Sequence, residues 1–213
     1  MTIFQKLSWM VQMGIHNLCD EKPHSMKKKS VMDGVLSNSD KALTSSKSAL
    51  SATATHPLGG VGMVPAEIMC VLEMPSSMED RTGQALSGPE GELLKKMLQA
   101  IGLDTNVQTY IAYLSPWRSP GARVLTPSET QEGLALLNKK IQIVHPKVLL
   151  LIGMPVVRAM INVPLGQART KVHYYQDIPV FATFAPNFLL KNVAYKKGAW
   201  DDLKKLQTFL NKK

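Results

Sequence analysis

The sequence is short of residues that build covalent or metal-held frameworks. Of 213 residues only Cys19 and Cys70 are cysteines, and two thiols so far apart supply neither a disulfide framework nor a four-thiolate metal or iron–sulfur site. The five histidines, His16, His24, His56, His145 and His173, show no ligand spacing, so no metal and no other cofactor is expected. Long apolar runs are missing too: no stretch reaches the about 18 residues that a membrane-spanning helix requires. Residues 1–19 carry apolar side chains, but Gln12 and His16 interrupt them, no small-residue cleavage site follows, and the residues before Cys19 form no lipoprotein box. A cytoplasmic protein with no membrane partner is the default. There is no internal repeat and no GxxxxGK followed by Ser or Thr, and the glycines after the first predicted strand lack GxGxxG spacing.

What the chain has is positive charge and a large apolar fraction. Lys and Arg number 25 against 16 Asp and Glu, a net charge of +9, which suits an anionic partner. A 45% hydrophobic content over this length can bury one core with an appendage. Phe4, Leu7, Met10, Val11, Ile15 and Leu18 recur at helical spacing, which predicts an amphipathic helix over residues 1–19. It either packs on its own domain or meets a protein partner, since its polar face lacks the Lys and Arg of membrane-surface helices. Residues 20–62, with Lys27-Lys28-Lys29, a Ser/Thr/Ala-rich run and Gly59-Gly60, leave little to bury and read as a flexible linker. Residues 63–213 form the globular domain.

That domain is organised around Ile68 to Leu94. An apolar run, Ile68-Met69-Cys70-Val71-Leu72, predicts a buried strand; a turn at Glu73 to Ser77, the acidic pair Glu79-Asp80 and Gly83, Gly88 and Gly91 follow, and a helix starts near Pro89. A loop between the carboxyl end of a strand and a helix is where open α/β sheets bind ligands. Further on, apolar runs and helical patterns alternate: strands at 67–73, 107–114, 147–152 and 178–183, helices at 89–101, 128–143, 154–162 and 196–211. This is the pattern of βαβ units, and it predicts a three-layer α/β/α sandwich around a mostly parallel sheet. Thr126-Pro127-Ser128-Glu129 is a capping box, and residues 171–175 predict a strand in a hairpin with 178–183.

Four segments carry a family resemblance. Glu73-Met74-Pro75-Ser76-Ser77-Met78-Glu79-Asp80 resembles the GEAPGxxED signature of bacterial and archaeal family 4 uracil-DNA glycosylases. The run from Gly83 to Leu94 is similar to their GxPFxGxAGxLL, Trp117 to Pro127 to their CRPPGNRxPTP with Trp at the cysteine position, and Ala185 to Lys191 to their HPxYLLR. Order and spacing agree over about Val64 to Leu210. The resemblance implies the fold given above, a DNA partner, and hydrolysis of the N-glycosidic bond of uracil or another damaged base, in base excision repair.

The departures bear on that activity. A glycosylase extrudes a base, reads its edge, stacks it and stabilises the negative charge on the departing ring. In the family a Phe stacks on the base, an Asn reads the uracil edge and a His supports charge on the uracil oxygen; these positions are Leu86, Tyr113 and Ala185 here. The cluster-binding cysteines are missing as well: two positions fall in the linker, the third is Trp117 and the fourth lies near Gly133. Glu73 keeps the carboxylate position, and Glu73 and Asp80 are the candidate catalytic residues, with Met74, Pro75 and Ser76 as further base-pocket positions and Asn187 or His173 as donors that folding brings in. Arg118, Arg123, Pro186, Asn187, Leu190 and Lys191 are the expected DNA contacts, the later ones at a helix N-terminus. The pattern implies a DNA-binding relative with a degenerate pocket and lost or altered excision. An active DNA glycosylase that hydrolyses the N-glycosidic bond of uracil or another damaged base and a protein-interaction module remain as alternatives.

Overall fold

The computed structural model describes residues 48–105 and 107–212. The helix expected at residues 1–19, the partner role attached to it, and most of the expected linker lie outside them. In chain order the elements are β1 (Gly60–Gly62), β2 (Ile68–Leu72), α1 (Ser77–Thr82), α2 (Gly88–Gln99), β3 (Thr109–Tyr113), α3 (Pro127–Val144), β4 (Val148–Ile152), α4 (Met154–Ile161), α5 (Leu165–Ala168), β5 (His173–Tyr175), β6 (Ile178–Thr183), α6 (Pro186–Lys191) and α7 (Lys196–Leu210). The sheet order is β1-β3-β2-β4-β6-β5. The four inner strands are parallel, and β1 and β5 close the two edges antiparallel.

The apolar runs of the inner strands are continuous because both faces of the sheet are covered. Alternate residues go to opposite layers. Ile68, Cys70, Ile111, Tyr113, Leu150 and Phe181 pack with Leu94, Met97 and Leu98 of α2 and Leu203 and Leu206 of α7. Met69, Val71, Ala112, Leu149, Leu151 and Ala182 pack with Leu137 and Ile141 of α3 and Val156 and Val157 of α4. This is the expected three-layer α/β/α sandwich. Burial on both sides also pushes the Cys70 thiol far above its ordinary pKa. Thr126 caps α3 as the sequence predicts, its hydroxyl accepting from the Glu129 N–H while the Glu129 carboxylate accepts from the Thr126 N–H. No helix among the described residues is long and apolar enough to cross a membrane.

The boundary at residue 63 needs correction, because residues 48–62 already pack on the domain. Leu50 and Leu58 are buried, the Leu58 N–H donates to the Pro116 carbonyl at 2.8 Å, and Gly60–Gly62 pairs with Ala112–Tyr110 of β3. The glycines that suggested a linker are what this edge strand requires. Gly60 and Gly62 have φ of 146° and 139°, and a Cβ on Gly62 would stand 2.1 Å from the Thr109 carbonyl oxygen. Leu58→Ala should therefore leave a core cavity and cost about 2–5 kcal/mol, read as a lowered denaturant midpoint at unchanged slope. An unchanged midpoint would place residue 58 outside the cooperative core.

Candidate functional site

The sheet reverses its winding between β2 and β4: β3 and α2 follow β2 to one side, while β4 lies on the other and leads into α4 on the opposite face. The loops leaving the carboxyl ends of these strands diverge there, which opens a crevice. A cleft of about 580 Å³ occupies it, walled by the loops after β2, β3, β4 and β6 and by the start of α2.

The loop after β2 contributes Glu73, Met74, Pro75 and Ser76. It is stitched to the end of β3, since the Leu114 and Ser115 N–H groups donate to the Leu72 and Glu73 carbonyls at 2.8 and 2.9 Å. Arg118 joins from the same side, donating from Nη1 to the Pro75 carbonyl at 2.8 Å. Glu73 is half-buried, and the loss of water raises its pKa above the ordinary carboxylate value. Glu90, in the first turn of α2, is a second carboxylate in the cleft. Burial raises its pKa first and the nearby Glu79 adds to this, while Arg118 and Lys191 pull it back. The opposite wall is Gly153 and Met154 after β4 with Phe184, Ala185, Asn187, Phe188 and Lys191 after β6. A side chain on Gly153 would crowd the Ala185 methyl at 3.1 Å, so these two loops meet closely.

Beneath the cleft lies a buried carboxylate, Glu79, that lines no part of it. Glu79 Oε2 accepts from the Ser76 N–H at 2.7 Å, and Oε1 accepts from the Leu86 N–H and the Tyr113 hydroxyl, both at 2.6 Å. Ser76 Oγ returns a bond by accepting from the Glu79 N–H, a capping box that starts α1. Burial, then the Glu79 charge and hydrogen bond, hold the Tyr113 hydroxyl pKa well above its ordinary value, so Tyr113 stays a neutral donor.

The cleft thus brings together Glu73, Met74, Pro75, Ser76, Ala185, Arg118, Asn187 and Lys191. Other expected site residues are elsewhere. Leu86 and Tyr113, placed by the family pattern at the base pocket, are fully buried under the Glu79 network and line no part of the cleft. Asp80 points away: its Oδ1 accepts from the Thr55 and His56 N–H groups at 2.9 and 3.3 Å, so it anchors the chain before β1. Arg123 is clasped by Glu129 in a bidentate pair of 2.7 and 2.8 Å and is absent from the cleft wall; that pair and the Thr126 cap hold the Glu129 carboxyl at about 2. Pro186 is buried, Leu190 is exposed beside the cleft rather than in it, and His173 sits on edge strand β5. Glu90, Phe184 and Phe188 are among the cleft residues that sequence reasoning missed. Glu90 stands at the Ala of GxPFxGxAGxLL, and a charge in an apolar slot was the available signal. Among the described residues no group of three or more His, Cys, Asp and Glu is gathered to hold a metal.

The model of the uracil DNA glycosylase superfamily matches residues 60–204. The chain is 28% identical over 174 residues to a type-4 uracil-DNA glycosylase of Archaeoglobus fulgidus, covering 77% of this chain and 87% of that one. It is 27% identical over 164 residues to the type-4 uracil-DNA glycosylase of Thermotoga maritima, covering 74% and 85%. A DNA polymerase of Bacillus phage SP01 is 26% identical over 158 residues, 74% of this chain but only 17% of the polymerase.

The Glu79 network predicts a stability difference between two carboxylates six residues apart in the chain. Glu79→Ala orphans three buried donors and should cost about 3–5 kcal/mol, and Tyr113→Phe about 1.5–3 kcal/mol. Glu73→Ala, which removes a partly desolvated charge, should shift stability by less than about 1 kcal/mol. Chemical denaturation of the three variants gives the ranking, and equal losses for Glu73 and Glu79 would contradict it.

Proposed function

The chain belongs to the uracil DNA glycosylase superfamily, and on that premise we propose that it is a DNA-binding protein of DNA-glycosylase type whose base selection has moved away from uracil. The observation that carries this reading is the charge arrangement of the cleft. Glu73 and Glu90 share it with Arg118 and Lys191, while the wall at Ala185 offers only a methyl group.

Hydrolysis of an N-glycosidic bond builds positive charge on the sugar and pushes the bonding electron pair onto the base. Glu73 answers the charge on the sugar, where its carboxylate stabilises an oxocarbenium-like ring or takes the proton of the attacking water. Arg118 and Lys191, with Asn187, suit the flanking phosphates, a contact that adds affinity without reading sequence. Nothing at residue 185 supports negative charge on the oxygen of a departing uracil, and one such preorganised donor is worth about 10²–10³ in rate. A purine made cationic by N-alkylation leaves as a neutral ring and needs no donor there. Asp80 favours a second reading, binding without excision, because it is committed to residues 55–56 and one of the two carboxylates expected for catalysis is absent from the cleft.

Single-turnover base release from single-stranded DNA, with protein in excess, tests both. Uracil release is expected near background, and Ala185→His should raise it by about 10²–10³. Rapid uracil release with Ala185 in place would overturn the altered selection. Release of N7-methylguanine that disappears in Glu73→Gln supports excision of a cationic base, whereas tight DNA binding with no base released leaves binding alone.

The raised carboxylates also predict a pH dependence of DNA affinity. With both pKa values above the ordinary 4.5, Glu73 and Glu90 take up protons earlier as pH falls. Each uptake removes a negative charge facing the phosphates, so affinity should rise as pH falls toward the carboxylate range and flatten once both groups are protonated. In the Glu73→Gln, Glu90→Gln double variant that part of the rise should vanish; a pH slope identical to the parent's would show that neither carboxylate faces the DNA.

A further inference from the structure

The wall after β6 carries a column of flat side chains. The Arg169 guanidinium carbon lies 3.9 Å from the Phe184 ring centroid. The rings of Phe184 and Phe188 are nearly parallel, 18° apart with centroids at 5.5 Å. Tyr195 closes on both edge-first at 5.3 and 5.0 Å. The column is anchored at its inner end, where Arg169 Nε donates to Asp202 Oδ2 at 2.6 Å and Thr183 Oγ1 donates to the same oxygen at 3.1 Å; Asp202 is only 4% exposed. Its outer end is open. Phe188 is 37% exposed and both phenyl rings line the cleft.

We propose that Phe188 is the stacking platform for an unpaired nucleobase, which continues the Arg169–Phe184–Phe188 column as its next layer. The inference deepens the DNA-binding reading above and rests on it. An open aromatic side chain, backed by a second ring and a fixed cation, suits a planar ring, and base–aromatic stacking is tolerant of sequence because every base has a π face. Lys191, one turn further along α6, and Arg118 across the cleft supply charge for the phosphates on either side of that base. The platform takes over the role that the family pattern gives to position 86, where the buried Leu86 cannot act. It approaches the base from the wall after β6.

The test is a cycle between the ring and the base, measured on the full chain. Two single strands of equal length are titrated at low salt, one with ordinary bases and one of abasic sugar phosphates with the same charge. The parent should bind the ordinary strand about 10-fold more tightly than the abasic one. Phe188→Leu should lose that preference and bind the abasic strand as the parent does, and Phe188→Trp should restore the preference. An equal loss on both strands, or an unchanged preference in Phe188→Leu, overturns the platform while leaving DNA binding intact. Failure of the parent to bind either strand removes the DNA-binding reading itself, and the platform with it.

Discussion

The cleft depends on one buried carboxylate. Removing the charge of Glu79 from water costs several kcal/mol unless donors replace the lost hydration, and the chain supplies three, from Ser76, Leu86 and Tyr113. These donors come from the cap of α1, the loop before α2 and the end of β3. One side chain therefore ties the loop before α2 to two segments, the cap of α1 and the end of β3, that the backbone bonds after β2 already hold together. The loop it ties is already strained toward a single shape: Leu86 has a left-handed φ of 58°, and a Cβ on Gly91 would come within 2.1 Å of the Leu86 carbonyl carbon. With that loop closed over the core, Glu90 is delivered to the cleft at the head of α2, and Glu73 stands above the sheet end.

Much of this fold is readable from the chain because local and global signals agree. Each inner strand is a run of apolar residues bounded by turn chemistry, and the helices between them carry one apolar stripe each, so type and order follow from periodicity. The Thr126–Glu129 box fixes the start of α3 for the same reason. The misses are also physical. Gly60-Val61-Gly62 carries almost no side-chain pattern, and its strand exists because the absence of a Cβ lets it lie against Thr109 and Tyr110. At six residues, α1 is too short for a helical period to show.

The site was less legible than the fold, because a motif position says which residue stands where but not which way it faces. Leu86 and Tyr113 occupy positions tied to the base in the family, yet here both are spent on enclosing Glu79. Asp80, adjacent to that buried glutamate, turns outward to the chain before β1. Correspondence with a family also directs attention to its polar positions. Glu90 escapes that search because it replaces an alanine, and Phe184 because it lies just before the fourth motif. Charge entering an apolar slot of a cleft is a better guide than the survival of a motif letter.

The redistribution has a consequence for how such a cleft can discriminate. Edge recognition needs donors and acceptors aimed at the ring's rim, and the two positions that carry polar groups in the family are tyrosine and alanine here, the tyrosine buried. Face recognition needs only a flat partner, and phosphate recognition only fixed cations. A site built on those two terms binds all unpaired bases to a similar degree, in ground state and transition state alike, and uniform binding does not accelerate a chemical step. On the proposed reading, selectivity in bond cleavage arises where the states differ, at the sugar that Glu73 would face and in the charge that leaves with the base. Bases that depart neutral gain most from carboxylates and lose nothing from the methyl of Ala185. On that reading, ease of departure replaces edge recognition as the basis of choice.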